Sequence, residues 1–233
     1  MTLLDPDRLS REKIVERAVQ CEECGADAIL FGSSLLVFTH DFDGIVRDIK
    51  RVVRVPVIIF PGEINQVSPH ADAILFLSMV SGRNADLLIG RQVRAAPVLK
   101  NCGLEAISTG YMLVESGSIT TAEYMSNTRT IPRGKPDIAM AHALAAEYIG
   151  MKCIYLDTGS GASDSVPTEM VRAVANYVSL PVIVGGGIHT SEIAREKVRA
   201  GASFVVTGNA LEENDDPSLI RAFSCAVHTK ESS

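Results

Sequence analysis

The sequence predicts an α/β protein built as a (β/α)8 barrel, and three observations carry that reading. Short apolar runs alternate with amphipathic stretches from end to end, the βαβ pattern of a parallel sheet. Eight such runs recur at a mean pitch of roughly 30 residues, the number and spacing of a closed barrel. Three late runs stop at glycines: Tyr155-Leu-Asp-Thr-Gly-Ser-Gly-Ala162, Val182-Ile-Val-Gly-Gly-Gly-Ile188 and Phe204-Val-Val-Thr-Gly-Asn209. A glycine backbone opening into a helix leaves N–H groups free to face an anion. Three such exits in succession are the phosphate-gripping layout of a barrel. The 233 residues fit one domain over positions 1–233, with no linker or low-complexity break.

The first strand, Thr2–Leu4, exits into Asp5-Pro-Asp7-Arg8. Carboxylates at a strand's end suit a hard cation such as Mg²⁺, which takes few protein ligands and shares substrate phosphate oxygens. Asp7 reads as the cap of the following helix and Asp5 as the ligand candidate. That helix carries Cys21 and Cys24, with no second pair and no histidine at ligand spacing, so they read as ordinary helix cysteines. The second strand, Ala28–Phe31, exits at Gly32-Ser33-Ser34, whose hydroxyls would join the same metal shell.

The third strand is Val57–Phe60, and the segment Ile64–Pro69 behind it is too short and polar for a full helix. The fourth is Ala73–Leu77, followed by a helix from Asn84 to Lys100 that offers a contact face. Internal similarity supports repeated βα units: Gly25-Ala-Asp-Ala-Ile-Leu-Phe31 resembles His70-Ala-Asp-Ala-Ile-Leu-Phe76, and Val55-Pro-Val-Ile-Ile59 resembles Leu180-Pro-Val-Ile-Val184. The fifth strand is read as Leu104–Ile107. A long Gly/Ser/Thr-rich loop from Glu115 to Pro136 then lies at the barrel mouth, where such loops carry function.

The sixth strand, Cys153–Leu156, puts Tyr155 and Asp157 on one face, because alternate residues of a strand point the same way. Asp157 could take a substrate proton as general base, or serve as a hydrogen-bonding group within the barrel layers. The seventh and eighth strands, Val182–Val184 and Phe204–Val206, complete the ring. Gly159, Gly161, Gly185 to Gly187 and Gly208 would enclose a phosphate. No aspartate, histidine and serine stand out together for covalent catalysis.

Composition removes other classes. A net charge of −6 argues against a nucleic-acid binder. No apolar run approaches the roughly 20 residues of a membrane helix, and Met1-Thr-Leu-Leu runs straight into Asp5-Pro-Asp7 without the basic region of a signal peptide. Five scattered cysteines suit a reducing, cytoplasmic setting.

These residues together resemble the geranylgeranylglyceryl phosphate synthase family, with its bacterial heptaprenylglyceryl phosphate relatives, and most of all its larger, mainly archaeal group. The likeness runs through Leu4-Asp-Pro-Asp7, Phe60-Pro-Gly62, Ala73-Ile-Leu-Phe-Leu-Ser78, Thr109-Gly-Tyr111, Ala145-Ala-Glu-Tyr-Ile-Gly150, the Tyr155 to Ala162 segment, Gly185-Gly-Gly-Ile188 and Thr207-Gly-Asn209. The resemblance implies a modified TIM barrel lacking its third helix. It also implies a Mg²⁺-dependent prenyltransferase that joins the C3 hydroxyl of sn-glycerol 1-phosphate to C1 of geranylgeranyl diphosphate, making the first ether bond of archaeal membrane lipids. By the family's pattern Asp5 and Ser34 would bind Mg²⁺. Tyr155, Leu156, Asp157, Thr158, Gly159, Ser160, Gly161, Gly186, Gly187, Gly208 and Asn209 would hold glycerol 1-phosphate, with Asp157 and Tyr155 as catalytic candidates. A homo-oligomer (dimer or hexamer) and peripheral contact with a membrane are expected as well.

The sequence departs from the family's pattern at several places. Asp157 stands where Glu is usual, Ser33 replaces a glycine, Ser81-Gly82-Arg83-Asn84 replaces Asn-Ser-Arg-Asn, and His189 replaces a common Arg. Two other readings predict different behaviour: a barrel isomerase or synthase acting on a sugar phosphate without magnesium, and a non-catalytic barrel that binds a phosphometabolite.

Overall fold

Branched apolar runs too short for helices become the staves of a barrel. The computed structural model describes residues 1–34, 41–208 and 216–228. Its strands are β1 (Thr2–Leu4), β2 (Ile29–Phe31), β3 (Val57–Ile59), β4 (Ala73–Met79), β5 (Glu105–Leu113), β6 (Cys153–Asp157), β7 (Val182–Gly185) and β8 (Phe204–Val205). Each lies parallel to the next in chain order, in one eight-stranded sheet. A parallel bridge between Thr2 and Thr207 closes the ring, with Leu3 N donating to Thr207 O at 2.8 Å.

The helices are α1 (Arg11–Glu23), α2 (Phe42–Val52), α3 (Arg91–Cys102), α4 (Thr121–Ser126), α5 (Pro136–Ile149), α6 (Thr168–Tyr177), α7 (Ser191–Arg199) and α8 (Pro217–Val227). A π-helical turn at Asp86–Gly90 leads into α3. No helix separates β3 from β4; residues 60–72 form turns and extended chain, as Ile64–Pro69 predicts. Side-chain caps start α1, α2, α4, α7 and α8. Ser10, not Asp7, accepts from Lys13 N at the head of α1, because the chain makes a further turn after Asp7 before it coils.

Two cores follow from the alternation of each strand. Ile14, Val46, Ile49, Met170 and Val174 pack between sheet and helices. Leu30, Leu75, Tyr111, Leu113, Tyr155, Ile183 and Val206 fill the barrel itself. Cys21 lies in the outer core, where burial pushes its thiol up to about 11, so it and Cys24 behave as packing residues.

Three segments differ from the sequence reading. β5 does not stop at Ile107; it runs on to Leu113, through Gly110, whose missing side chain lets Ala146 of α5 approach closely. The stretch from Glu115 to Pro136 is not an open loop, since it contains α4 and a bridge between Val114 and Ile131. The expected helix from Asn84 to Lys100 is the π turn plus α3, ending at Cys102.

Candidate functional site

At the carboxyl ends of the strands a cavity of about 270 Å³ opens. One wall is the exits of β6 to β8: Gly159, Ser160, Gly161, Gly186, Gly187 and Gly208. The opposite wall holds Asp5, Ser33 and Ser34, and the floor is Tyr111, Tyr155 and Asp157. The cavity then continues as an apolar slot past Phe60, Ile74, Phe76, Leu87 and Leu99. Leu75 and Leu77 belong to the barrel interior, so Ile74 and Phe76 stand on the outer face of β4. A ring helix normally covers that face. Here no helix follows β3; Ile74 is buried, while Phe76 keeps part of its surface exposed.

The glycine wall is built from backbone. Gly186 and Gly187 have φ of +75° and +61°. A Cβ on Gly186 would stand 2.6 Å from Asp157 Oδ1, and one on Gly187 would strike the backbone of Asp164. Neither position tolerates a side chain, and the chain beyond them leads into the N-terminus of α7, which favours negative charge. Leu156 is placed differently: its side chain is fully buried in the outer core, away from the cavity. Thr158 is buried beside Gly186, its Oγ1 without a hydrogen-bond partner among the described residues. Asn209 lies outside the described residues.

Asp157 sits at the top of the barrel core, 6% exposed. Its Oδ2 accepts from Tyr111 Oη at 2.5 Å and its Oδ1 from Gly159 N at 2.9 Å. Burial raises its pKa, and the bonds from Tyr111, Gly159 and Thr158 only partly offset that. A carboxylate has about four acceptor sites, so with three bonds made one remains for a substrate hydroxyl. Tyr155 stacks on Phe60 (ring centroids 5.1 Å apart) and tilts against Tyr111 at 5.5 Å, fixing the floor. Burial, then the nearby Asp157 charge, holds the Tyr111 and Tyr155 hydroxyls well above their ordinary pKa, so both remain neutral donors. Tyr111 had no assigned role in the sequence reading. The signal was available, because Ile107, Thr109, Tyr111 and Leu113 continue a period of two.

The opposite wall is built from side chains. Asp7 N donates to Asp5 Oδ1 at 2.9 Å, and Ser33 Oγ donates to Asp7 Oδ2 at 2.6 Å. Burial raises the pKa of Asp5, partly offset by the Asp7 N–H and the Ser33 hydroxyl. Fully buried Gln66 ties the neighbouring exits together. Its Oε1 accepts from Ser33 N (3.1 Å) and Gly62 N (3.3 Å), and its Nε2 donates to Ser33 O (2.7 Å). Asp5 and Ser34 share the cavity wall, as expected, while Ser33 is engaged by Asp7. Among the described residues no three His, Cys, Asp or Glu side chains cluster as a metal cage. A sparse set of hard oxygen donors facing an open cavity fits Mg²⁺, which keeps its remaining positions for water and phosphate oxygens.

An aspartate, a histidine and a serine do come together, contrary to the sequence reading, but at the far end of the barrel. His228 Nε2 lies 3.0 Å from both oxygens of Asp27, and its Nδ1 lies 3.2 Å from Ser224 Oγ. Ser224 also donates to Gly25 O at 2.9 Å. The cavity beside them is only about 30 Å³, so the group reads as a clamp on α8.

A sequence profile of the PcrB family matches residues 1–227. The chain belongs to the PcrB family. It is 46% identical over 226 residues to the geranylgeranylglyceryl phosphate synthase of Chitinophaga pinensis, covering 97% of this chain and 88% of that one. With the enzyme of that name from Thermococcus kodakarensis it shares 44% over 211 residues, 91% of this chain and 83% of the other. In structure, this PcrB-family barrel is similar to (S)-3-O-geranylgeranylglyceryl phosphate synthase from Thermoplasma acidophilum, solved in complex with sn-glycerol-1-phosphate. That likeness has a TM-score of 0.93 at 33% identity and covers 97% and 92% of the two chains. Orotidine 5'-phosphate decarboxylase from Pyrococcus horikoshii, at 15% identity and a TM-score of 0.65, shares the fold alone.

Proposed function

We propose that the protein transfers a geranylgeranyl group from geranylgeranyl diphosphate to the C3 hydroxyl of sn-glycerol 1-phosphate. The observation that carries this is the continuity of one cavity, from glycine cradle past Asp5 into an apolar slot. A phosphate, a second anionic group and a hydrocarbon chain each find a matching wall. The relatives' shared name and the glycerol phosphate held by the Thermoplasma acidophilum enzyme support the same reading.

In this reading the cradle of Gly159 to Gly161, Gly186, Gly187 and Gly208 fixes the acceptor's phosphate and leaves its C3 hydroxyl over Asp157. As the hydroxyl oxygen bonds to C1 of the prenyl chain, the C1–oxygen bond to diphosphate breaks and the hydroxyl proton passes to Asp157. Its raised pKa makes it a better proton acceptor than an ordinary carboxylate. Tyr111 holds the carboxylate in place, and Phe60 and Tyr155 exclude water from the reacting carbon. Asp5 and Ser34 would hold Mg²⁺, which when bound neutralises charge on a leaving diphosphate.

Exposed Ile89, Val93 and Val98 around α3 support a homo-oligomeric contact (dimer or hexamer). Ile119, Tyr124 and Met125 at the mouth support peripheral contact with a membrane, where a lipid donor resides. No described helix is long and apolar enough to cross one; we place the enzyme in the cytoplasm.

The test incubates the protein with Mg²⁺, labelled sn-glycerol 1-phosphate and geranylgeranyl diphosphate, with other prenyl lengths in parallel. Label should move into the lipid-extractable phase. Label that stays in the aqueous phase with every donor overturns the proposal.

A further inference from the structure

We propose that Arg8 is the cationic partner of the acceptor's phosphate and the link between the two walls of the site, an inference that rests on the function just proposed. Arg8 lies in the turn between β1 and α1. Its Nη2 donates across the mouth to Ser160 Oγ at 3.3 Å, a residue of the loop after β6. Its Nε stands 3.8 Å from Asp5 Oδ2 on the opposite wall. Strands β7 and β8 lie between β6 and β1 in the closed ring, so the side chain arches over the exits that form the glycine cradle.

The basic residues lining the cavity are engaged elsewhere. Arg91 pairs with Glu63 (3.1 Å) and Asp86 (3.2 Å) and donates to Gly62 O (2.9 Å), beside the apolar slot. The Nε2 of His189 is held 3.0 Å from Ala162 O, a carbonyl that can only accept. A phosphate seated among N–H groups at the cradle would meet the planar guanidinium of Arg8, whose fork matches phosphate oxygens. Turning to that phosphate draws Arg8 off Asp5, so the filling of the cradle leaves the Asp5 carboxylate freer for a cation. Arg8 then also lies between the two anionic substrates and screens their repulsion.

The test is calorimetric and uses the full chain with three probes: sn-glycerol 1-phosphate alone, Mg²⁺ with inorganic diphosphate, and all three together. Arg8→Met should weaken glycerol 1-phosphate binding by about tenfold, the loss of one charged hydrogen-bonding partner. Mg²⁺–diphosphate binding alone should hold or tighten, since Asp5 loses a competitor. In the wild type, glycerol 1-phosphate should strengthen Mg²⁺–diphosphate binding, and that gain should vanish in Arg8→Met. Arg8→Lys should restore part of the acceptor affinity. Equal glycerol 1-phosphate affinity in wild type and Arg8→Met, with both folded by circular dichroism, overturns the role of Arg8 alone. A wild type that binds no glycerol 1-phosphate overturns the functional reading instead.

Discussion

Across the mouth of the barrel, the exits of β6 to β8 present backbone while the exits of β1 to β3 present side chains. On the first side Gly186 and Gly187 hold left-handed conformations that no other residue adopts without strain, and the packed loops leave no room for a Cβ. On the second, Asp5, Asp7, Ser33 and Gln66 make side-chain bonds, and Gln66 comes from the stretch behind β3 where a helix is absent. A phosphate has one shape, and a rigid backbone cradle fits it. A metal-bound diphosphate with a long hydrocarbon tail needs rotatable ligands and an open slot. In the proposed reaction the two walls would divide the work between a fixed acceptor site and an adjustable donor site.

That contrast can be broken at its centre. Asp157→Asn should cut turnover by about 10²–10⁴-fold, the usual worth of a general base. Its stability should move the other way. The folded pKa of Asp157 is raised above its unfolded value, so the stability it contributes is present at low pH and is lost as pH rises through the folded pKa. Near pH 7 the asparagine variant should therefore melt higher than the wild type, and the gap should close as pH falls below the unfolded value of about 3.9. An asparagine variant that melts lower near pH 7 contradicts the buried-charge account.

Gly186→Ala attacks the fixed wall alone. It should lower kcat/KM about a hundredfold through the acceptor, since a misplaced nucleophile costs that much. Affinity for Mg²⁺–diphosphate, read by calorimetry, should hold; its parallel loss would show that the walls are not separate. Asp5→Asn is the converse, weakening Mg²⁺–diphosphate binding by about tenfold or more while glycerol 1-phosphate still binds.

Tyr111→Phe has the smallest expected effect, about tenfold in kcat, because it removes one hydrogen bond to Asp157. It also shifts a curve. The Tyr111 bond lowers the Asp157 pKa, so its removal should move the acid limb of the kcat/KM profile to higher pH. An unmoved acid limb would assign the base elsewhere.

The fold was readable because its signals are local: all eight strands lie where apolar runs meet glycine or turn residues, and the polarity of Ile64–Pro69 marks the missing helix. The glycine wall was readable for the same reason, since a backbone site announces itself in the residue that lacks a side chain. The side-chain wall was less so. Ser10 in place of Asp7 as cap depends on one extra turn of chain, and the Ser33–Asp7 bond joins two loops. Gln66, Tyr111 and Arg8 act across 33, 46 and 152 positions of sequence respectively. Gly110 disguised the length of β5, because a glycine that serves close packing reads like one that ends a strand.

The apolar slot beside β4 also has a thermodynamic consequence. Phe60, Phe76 and Leu87 line the slot and keep part of their apolar surface exposed. Docking of a prenyl chain there transfers hydrocarbon out of water on both surfaces at once, and burial of that kind lowers heat capacity. Glycerol phosphate, gripped by N–H groups, buries almost none. The temperature dependence of the binding enthalpy should therefore be steeply negative for the prenyl donor and nearly flat for the acceptor, so a deleted helix becomes visible in a calorimeter.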